Sequence, residues 1–115
     1  MRDDRARLLD IAEAIEKIAR YSGLDQAVFA RDELIQTWMV HHLQVIGEAV
    51  TQLSDDFCSR HPDIPWRAIA AMRHALVHAY FRVDLDEVWS VAQNDLPHLR
   101  TRVQELLQHE PGTGG

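Results

Sequence analysis

The run Met72-Arg73-His74-Ala75-Leu76-Val77-His78-Ala79-Tyr80-Phe81 gathers the chain's densest set of side chains able to do chemistry. At about 100° per residue on an α-helix, His74 and His78 fall about 40° apart and share a face. Arg73 and Tyr80 fall about 20° apart on another, while Arg73 and His78 are separated by about 140°. One straight helix cannot aim Arg73 and His78 at one point without using the length of the Arg side chain. Two copies of the helix meeting across a two-fold axis can, and would line one cleft with two Arg, two His and two Tyr. Three readings follow. The first is a surface with a few cationic and aromatic residues. The second is a metal site: His74 and His78 at i,i+4 suit zinc, but Ala75 stands where a His-Glu-x-x-His protease has its general base, and no third ligand is at hand. The third is phosphoryl transfer on RNA, in which Arg holds a phosphate bidentately, His moves a proton near neutral pH, and the 2′-hydroxyl is the nucleophile.

The elements that must position these residues are helices. Leu8, Ile11, Ala12, Ile15, Ile18 and Ala19 follow helical spacing over about Asp4 to Tyr21, with Glu13/Lys17 and Glu16/Arg20 as i,i+4 pairs and Ser22-Gly23 as the stop. A second stripe, Ile35, Trp38, Met39, His42, Val45, Ile46, Ala49 and Leu53, predicts a helix over about Arg31 to Leu53 capped by Asp32. Ser54 opens a short turn or helix to Arg60. Pro65 opens a third helix to about Tyr80, with Ile69, Met72 and Leu76 inward. Asp84, with Glu87 three residues on, caps a fourth segment carrying Leu85, Val88, Trp89 and Ala92. Pro97 should break or kink it, with Asn94 or Asp95 recapping a last stretch through Leu99, Val103, Leu106 and Leu107. No stretch alternates like a strand. The expectation is an all-α antiparallel bundle of four main helices, the last broken near Pro97. It forms one domain over residues 1–110, with 111–115 as a frayed tail.

Composition narrows the function. The chain has 115 residues, 46% of them hydrophobic and 26% charged, which excludes disorder as the dominant state. Cys58 is the only cysteine, so no internal disulfide and no cysteine-rich zinc module can form. There is no apolar run of membrane-spanning length and no signal-peptide core in MRDDRARLLD, so a soluble cytoplasmic protein is expected. The formal charge is −6, and eleven of the twelve basic residues are Arg. A net negative chain binds nucleic acid only through a local cluster of positive charge.

Arg73-x-x-x-x-His78-x-Tyr80 resembles the Arg-x4-His-x-Tyr signature of HepT-like toxins in the HEPN superfamily. Leu43-Gln-Val-Ile-Gly-Glu-Ala49, His61-Pro-Asp-Ile-Pro-Trp-Arg67, Tyr80-Phe-Arg-Val-Asp84 and Gln93-Asn-Asp-Leu-Pro97 resemble further family blocks in family order, covering about Asp3 to Leu107. The resemblance implies a dimerising helical bundle with the Arg and His of both chains in one cleft. It implies a metal-independent endoribonuclease without a cofactor, acting on RNA and not on DNA or at a membrane. The family's toxins stand beside an MNT-type nucleotidyltransferase antitoxin, in a type VII toxin–antitoxin system, that silences them by AMP transfer to the motif tyrosine. Carried over, Arg73 and His78 are catalytic and Tyr80 is the AMPylation site. His74 stands where Asn is frequent and is a site residue without an assigned role. The alternative function is a non-catalytic interaction or nucleotide-binding module partnering a nucleotidyltransferase, motivated by the net negative charge. Elsewhere, His42 reads as a core histidine, His41 as exposed, His61 as a turn residue, Cys58 as inert and Gly47 as a site of close helix packing. Trp38 and Trp89 read as core or dimer interface. Trp66 packs at the start of its helix, and Glu48 reads as a solvated face with the alternative of an Arg partner.

Overall fold

The computed structural model describes residues 3–77 and 84–109, with side chains for 3–72 and 84–109. Their helices are α1 (Asp4–Ala19), α2 (Gln26–Arg31), α3 (Glu33–Thr51), α4 (Asp55–Arg60), α5 (Trp66–Val77), α6 (Leu85–Ser90) and α7 (Leu96–His109), with a π-helical turn at Val91–Asp95 joining the last two. Four of the starts carry a side-chain cap legible in the sequence. Asp3, Asp32, Ser54 and Asp84 have extended backbones, and their side-chain oxygens accept from the amides of Ala6, Ile35, Phe57 and Glu87 respectively. Each such cap satisfies one of the donors a helix leaves unpaired and is worth about 1 kcal/mol. The first helix ends at Ala19 and tightens through Arg20–Ser22, where Tyr21 N–H donates to Ile18 C=O and the Ser22 hydroxyl to Ala19 C=O. Among the described residues the fold is all-helical, and no helix is long and apolar enough to cross a membrane.

The core lies where α1, α3 and α7 meet. Leu8, Ile11, Met39, Leu43, Ile46, Phe57, Val88 and Val103 are all fully buried, each contributing about 1.5–3 kcal/mol of transfer free energy. The long helix α3 is central: it packs on α1 along one side and on α5 along another. Polar ties fix the register. The Arg100 guanidinium holds both Glu16 carboxylate oxygens at 2.7 Å, joining α7 to α1. The Arg102 Nε donates to Asp63 at 2.7 Å, joining α7 to the loop before α5. The Asp4 carboxylate accepts from both the amide and the hydroxyl of Ser54. Of the two intrahelical pairs expected on α1, Glu13–Lys17 forms at 3.1 Å. Glu16 instead reaches across to Arg100, because the rigid guanidinium fork offers two hydrogen bonds.

Two elements differ from the sequence reading. The segment Gln26–Arg31 is a separate short helix, α2, ending at Asp32, so the second stripe begins at Glu33. Phe29 anchors it, fully buried and 5.2 Å from the Trp89 ring. The break near Pro97 is a widened turn and not an interruption. Backbone dihedrals stay helical at Ser90, Val91 and Leu96, and Leu96 N–H donates back five residues to Val91 C=O. No recapping by Asn94 or Asp95 is needed. Pro97 has no N–H to return to the turn before it, and the π-turn takes up that mismatch. Gln93 Nε2 pins the turn to the end of α1 by donating to Ser22 C=O at 2.6 Å.

Candidate functional site

The helix α5 carries the start of the motif, Arg73, and its entrance is tightly built. His61-Pro62-Asp63-Ile64-Pro65 leaves α4 through a turn and starts α5 at Trp66, with Ile69 N–H donating to Pro65 C=O at 3.0 Å. Trp66 is buried to 9% exposure, and its indole Nε1 donates to His61 C=O at 3.0 Å. The Phe57 ring stands 6.0 Å from Trp66 and 4.8 Å from His61. Ile64 is buried beside them. Proline, indole and carbonyl together fix where α5 begins and how it is rotated.

Of the residues singled out for chemistry, Arg73 and His74 lie on α5, and the structure describes their backbone alone. His78 and Tyr80 lie outside the described residues, so neither their convergence with Arg73 nor the orientation of Tyr80 is visible here. The register of α5 still separates the two described positions. Arg73 is seven residues after Trp66 and so within about 20° of that buried ring's stripe. His74 is seven after Arg67 and shares its stripe, together with Ala71. Arg67 and Ala71 are exposed. By backbone register, then, the Arg73 position shares the stripe of Trp66 and the His74 position that of Arg67.

Arg67 is a cation that the sequence reading passed over. It sits inside a quoted block yet was given no role. Among the described residues its guanidinium makes no ion pair or hydrogen bond, and it lies about 10 Å along the helix from the His74 position. The signal was available: a spacing of seven to the motif is a helical repeat.

Two grooves mark the surface of the bundle. One, about 760 Å³, runs between α1 and α3 and is lined by Arg7, Asp10, Glu13, Lys17, His41 and Glu48 among others. Glu48 is exposed at its rim, and Gly47 beside it is buried on the α3 helix that packs α5. The other, also about 760 Å³, lies between α5 and the α6–π–α7 helix. Ile69 and Met72 form one wall, and Glu87, Val91, Asp95 and His98 belong to the other. No sequence signal marked Glu87, Asp95 or His98 as neighbours of α5, because only the fold brings residues so distant in the chain together. Among the described residues no three His, Cys, Asp or Glu side chains converge as a metal site would require.

His42 belongs to the α1–α3 seam and not to the motif. It is 7% exposed, with its ring edge-on to Trp38 at 4.6 Å and to His41 at 4.8 Å. Burial, followed by the charges of His41 and Lys17, pushes its pKa down, against a smaller opposing effect of Glu13. Trp38 is anchored in turn, its Nε1 donating to Lys17 C=O at 2.8 Å and its ring meeting Tyr21 edge-on. Cys58 is half-buried, and burial with the nearby Asp4 and Asp55 raises its thiol pKa, which keeps it unreactive.

Comparison with known proteins identifies the family. A family profile described as ribonuclease HepT-like matches residues 11–106. A Thermococcus cleftensis protein named probable ribonuclease HepT is 39% identical over 106 residues, covering 91% of this chain and 96% of the relative. A protein of Caldanaerobacter subterraneus subsp. tengcongensis, provisionally named an RNase, is 37% identical over 93 residues, covering 81% of this chain and 83% of its own length. A Methanocaldococcus jannaschii protein, also provisionally named an RNase, is 31% identical over 112 residues, covering 96% and 93%. No solved structure gives a significant match. With nearly the whole helical bundle matched, motif helix included, the chain belongs to the HepT-like ribonuclease family.

Proposed function

We propose that this chain is the toxin of a type VII HepT/MNT pair, a metal-independent endoribonuclease that works as a homodimer in the cytoplasm. The observation that carries the reading is a match to ribonuclease relatives across the whole bundle, with Arg73-x4-His78 starting on the helix that Trp66 anchors. The 140° offset between Arg73 and His78 is why the site is read as shared, each cleft taking residues from two chains.

In the proposed reaction, Arg73 binds the scissile phosphate and stabilises the charge that grows on it. His78 takes the proton from the 2′-hydroxyl, whose oxygen attacks the adjacent phosphorus. The bond to the 5′-oxygen breaks, and that oxygen takes a proton from an acid, either His78 of the other chain or water. The products are a 2′,3′-cyclic phosphate and a 5′-hydroxyl. His74, on the open stripe with Arg67, contacts RNA or adds a second titrating group. Silencing proceeds by attack of the Tyr80 oxygen on the α-phosphorus of ATP held by the antitoxin, with pyrophosphate leaving and AMP retained. The new phosphate then competes with RNA for Arg73.

The test is cleavage of RNA in excess EDTA, with Arg73→Ala and His78→Ala each folded but inactive. Dependence on added metal overturns the mechanism. Inactivity of the wild-type protein, combined with tight binding to a nucleotidyltransferase, favours the non-catalytic module that the −6 net charge motivates. Incubation with the antitoxin and MgATP should add AMP to the wild-type chain and not to Tyr80→Phe.

A further inference from the structure

The groove between α5 and the α6–π–α7 helix has no role in the reaction as described. It borders Met72, the residue next to Arg73 in the chain. Its make-up is unlike a phosphate track. Ile69, Met72 and Val91 give apolar walls, and Ala68 and Ala71 on α5 leave the approach unobstructed by long side chains. Set into that apolar frame are the carboxylates of Glu87 and Asp95 and the imidazole of His98, all on exposed positions of the opposing helix. A volume of about 760 Å³ is in the range of sites that take small ligands. The widened π-turn brings Asp95 to this rim, and Gln93 holds the turn in place from behind through its 2.6 Å bond to Ser22 C=O. Carboxylates repel a phosphate but accept from the N–H groups on a base edge, and apolar walls suit the faces of a base.

Resting on the ribonuclease reading, we infer that this groove holds a base flanking the scissile phosphate and selects one whose edge carries adjacent N–H donors. Guanine fits best, since its N1–H and N2–H lie side by side and match the two oxygens of one carboxylate. Uracil fits worst, because its single N–H is flanked by two carbonyl oxygens that face the acidic rim. Glu87 and Asp95 are thus specificity residues, separate from Arg73 and His78. The preference comes from acceptors left unpaired when the wrong base enters.

The experiment is mapping of new 5′-hydroxyl ends on a randomised RNA pool, comparing the wild type with Asp95→Asn, Glu87→Gln and the double variant. The wild type should favour guanine over uracil at one flanking position by about tenfold or more. The amide variants, which keep shape but lose the acceptor pair, should lower that ratio towards one, through slower cutting at guanine-flanked sites with uracil-flanked sites cut as fast as before or faster. An unchanged ratio, or an equal fall at every site, overturns the assignment. Should the wild type cut no RNA, the ribonuclease reading fails by itself. The groove is then judged by NMR titration with guanosine and uridine monophosphates, where shifts at the Met72 methyl from the guanine nucleotide alone support it and no shifts from either overturn it. If Met72→Glu converts a dimer into a monomer, a second copy of the chain occupies the groove and the base assignment falls.

Discussion

Replacing Trp66 by Phe tests how α5 is held in place. The substitution keeps an aromatic ring in the pocket beside Phe57 but deletes the indole N–H that donates to His61 C=O at 3.0 Å. A hydrogen bond of this kind contributes about 1 kcal/mol net, and the His61 carbonyl keeps a second donor, the Ile64 N–H at 3.3 Å, so no acceptor is left unpaired. The smaller ring gives up some buried carbon as well, so the total loss is about 2 kcal/mol. With an unfolding entropy near 2.1 cal/mol/K per residue, 115 residues give about 0.24 kcal/mol/K, and Tm should fall by roughly 8 °C. Trp66→Ala, which also empties the pocket, should lose about 3–5 kcal/mol. Function should suffer beyond the folded fraction. The Arg73 position is about 10 Å along the helix from Trp66, so a tilt of about 5° there moves it by about 1 Å, enough to cost up to 100-fold in turnover. The assay is thermal melting by circular dichroism beside RNA cleavage well below the transition. A Trp66→Phe protein melting within 2 °C of wild type, or one as unstable as Trp66→Ala, would refute the role given to the indole N–H.

Three further outcomes follow from the same structure. The pKa of His42 is depressed in the fold, so the unfolded chain binds the proton first. Its contribution is therefore full above about pH 6.5 and is lost as pH falls. Melting curves should show Tm falling between about pH 6.5 and 5, and His42→Phe should flatten that limb. Parallel curves would contradict the assignment, and Asp63 does not confuse it, because its carboxyl is held below the ordinary range by the Arg102 hydrogen bond and titrates at lower pH. Gln93→Ala removes the 2.6 Å tie to Ser22 and should cost about 1 kcal/mol, or roughly 4 °C in Tm, with an unchanged melt arguing that the π-turn needs no anchor. Arg67→Ala should weaken RNA binding and reduce the salt dependence by close to one counterion, while cleavage at saturating RNA stays unchanged; an unaltered slope in binding titrations would remove Arg67 from the RNA path.

The helices were largely readable from the chain because their starts are marked by Asp32, Ser54, Pro65 and Asp84, short-range signals that act within three residues. The short helix α2 was not, since six residues with Val28 and Phe29 as their large apolar side chains show no periodicity; Phe29 earns its place only through burial against Trp89 on a distant helix. The partner of Glu16 was misjudged for a similar reason. Local spacing offered Arg20, whereas Arg100, far off in the chain, offers two aligned donors. In the candidate site, the motif and its helix were legible as spacing, and so, in retrospect, was Arg67. The groove residues Glu87, Asp95 and His98 were not, because their relation to α5 exists only once α3 has set α5 opposite the last helix.

The wide turn at Val91–Asp95 also acts as a phase shifter. Val88 and Leu96, both buried, are eight residues apart, and on a regular helix they would point about 80° away from each other. The extra residue absorbed in the turn brings them back into line, so the first half of the helix can be fitted to α3 and the second half to α1 as independent problems. Deleting one residue there should spin everything from Leu96 onwards out of register with Glu16 and the core, even though no buried side chain need be altered. Single-residue insertions and deletions in this family should therefore be as costly at this turn as within α1 or α3, because the one extra residue is what keeps the two halves in phase.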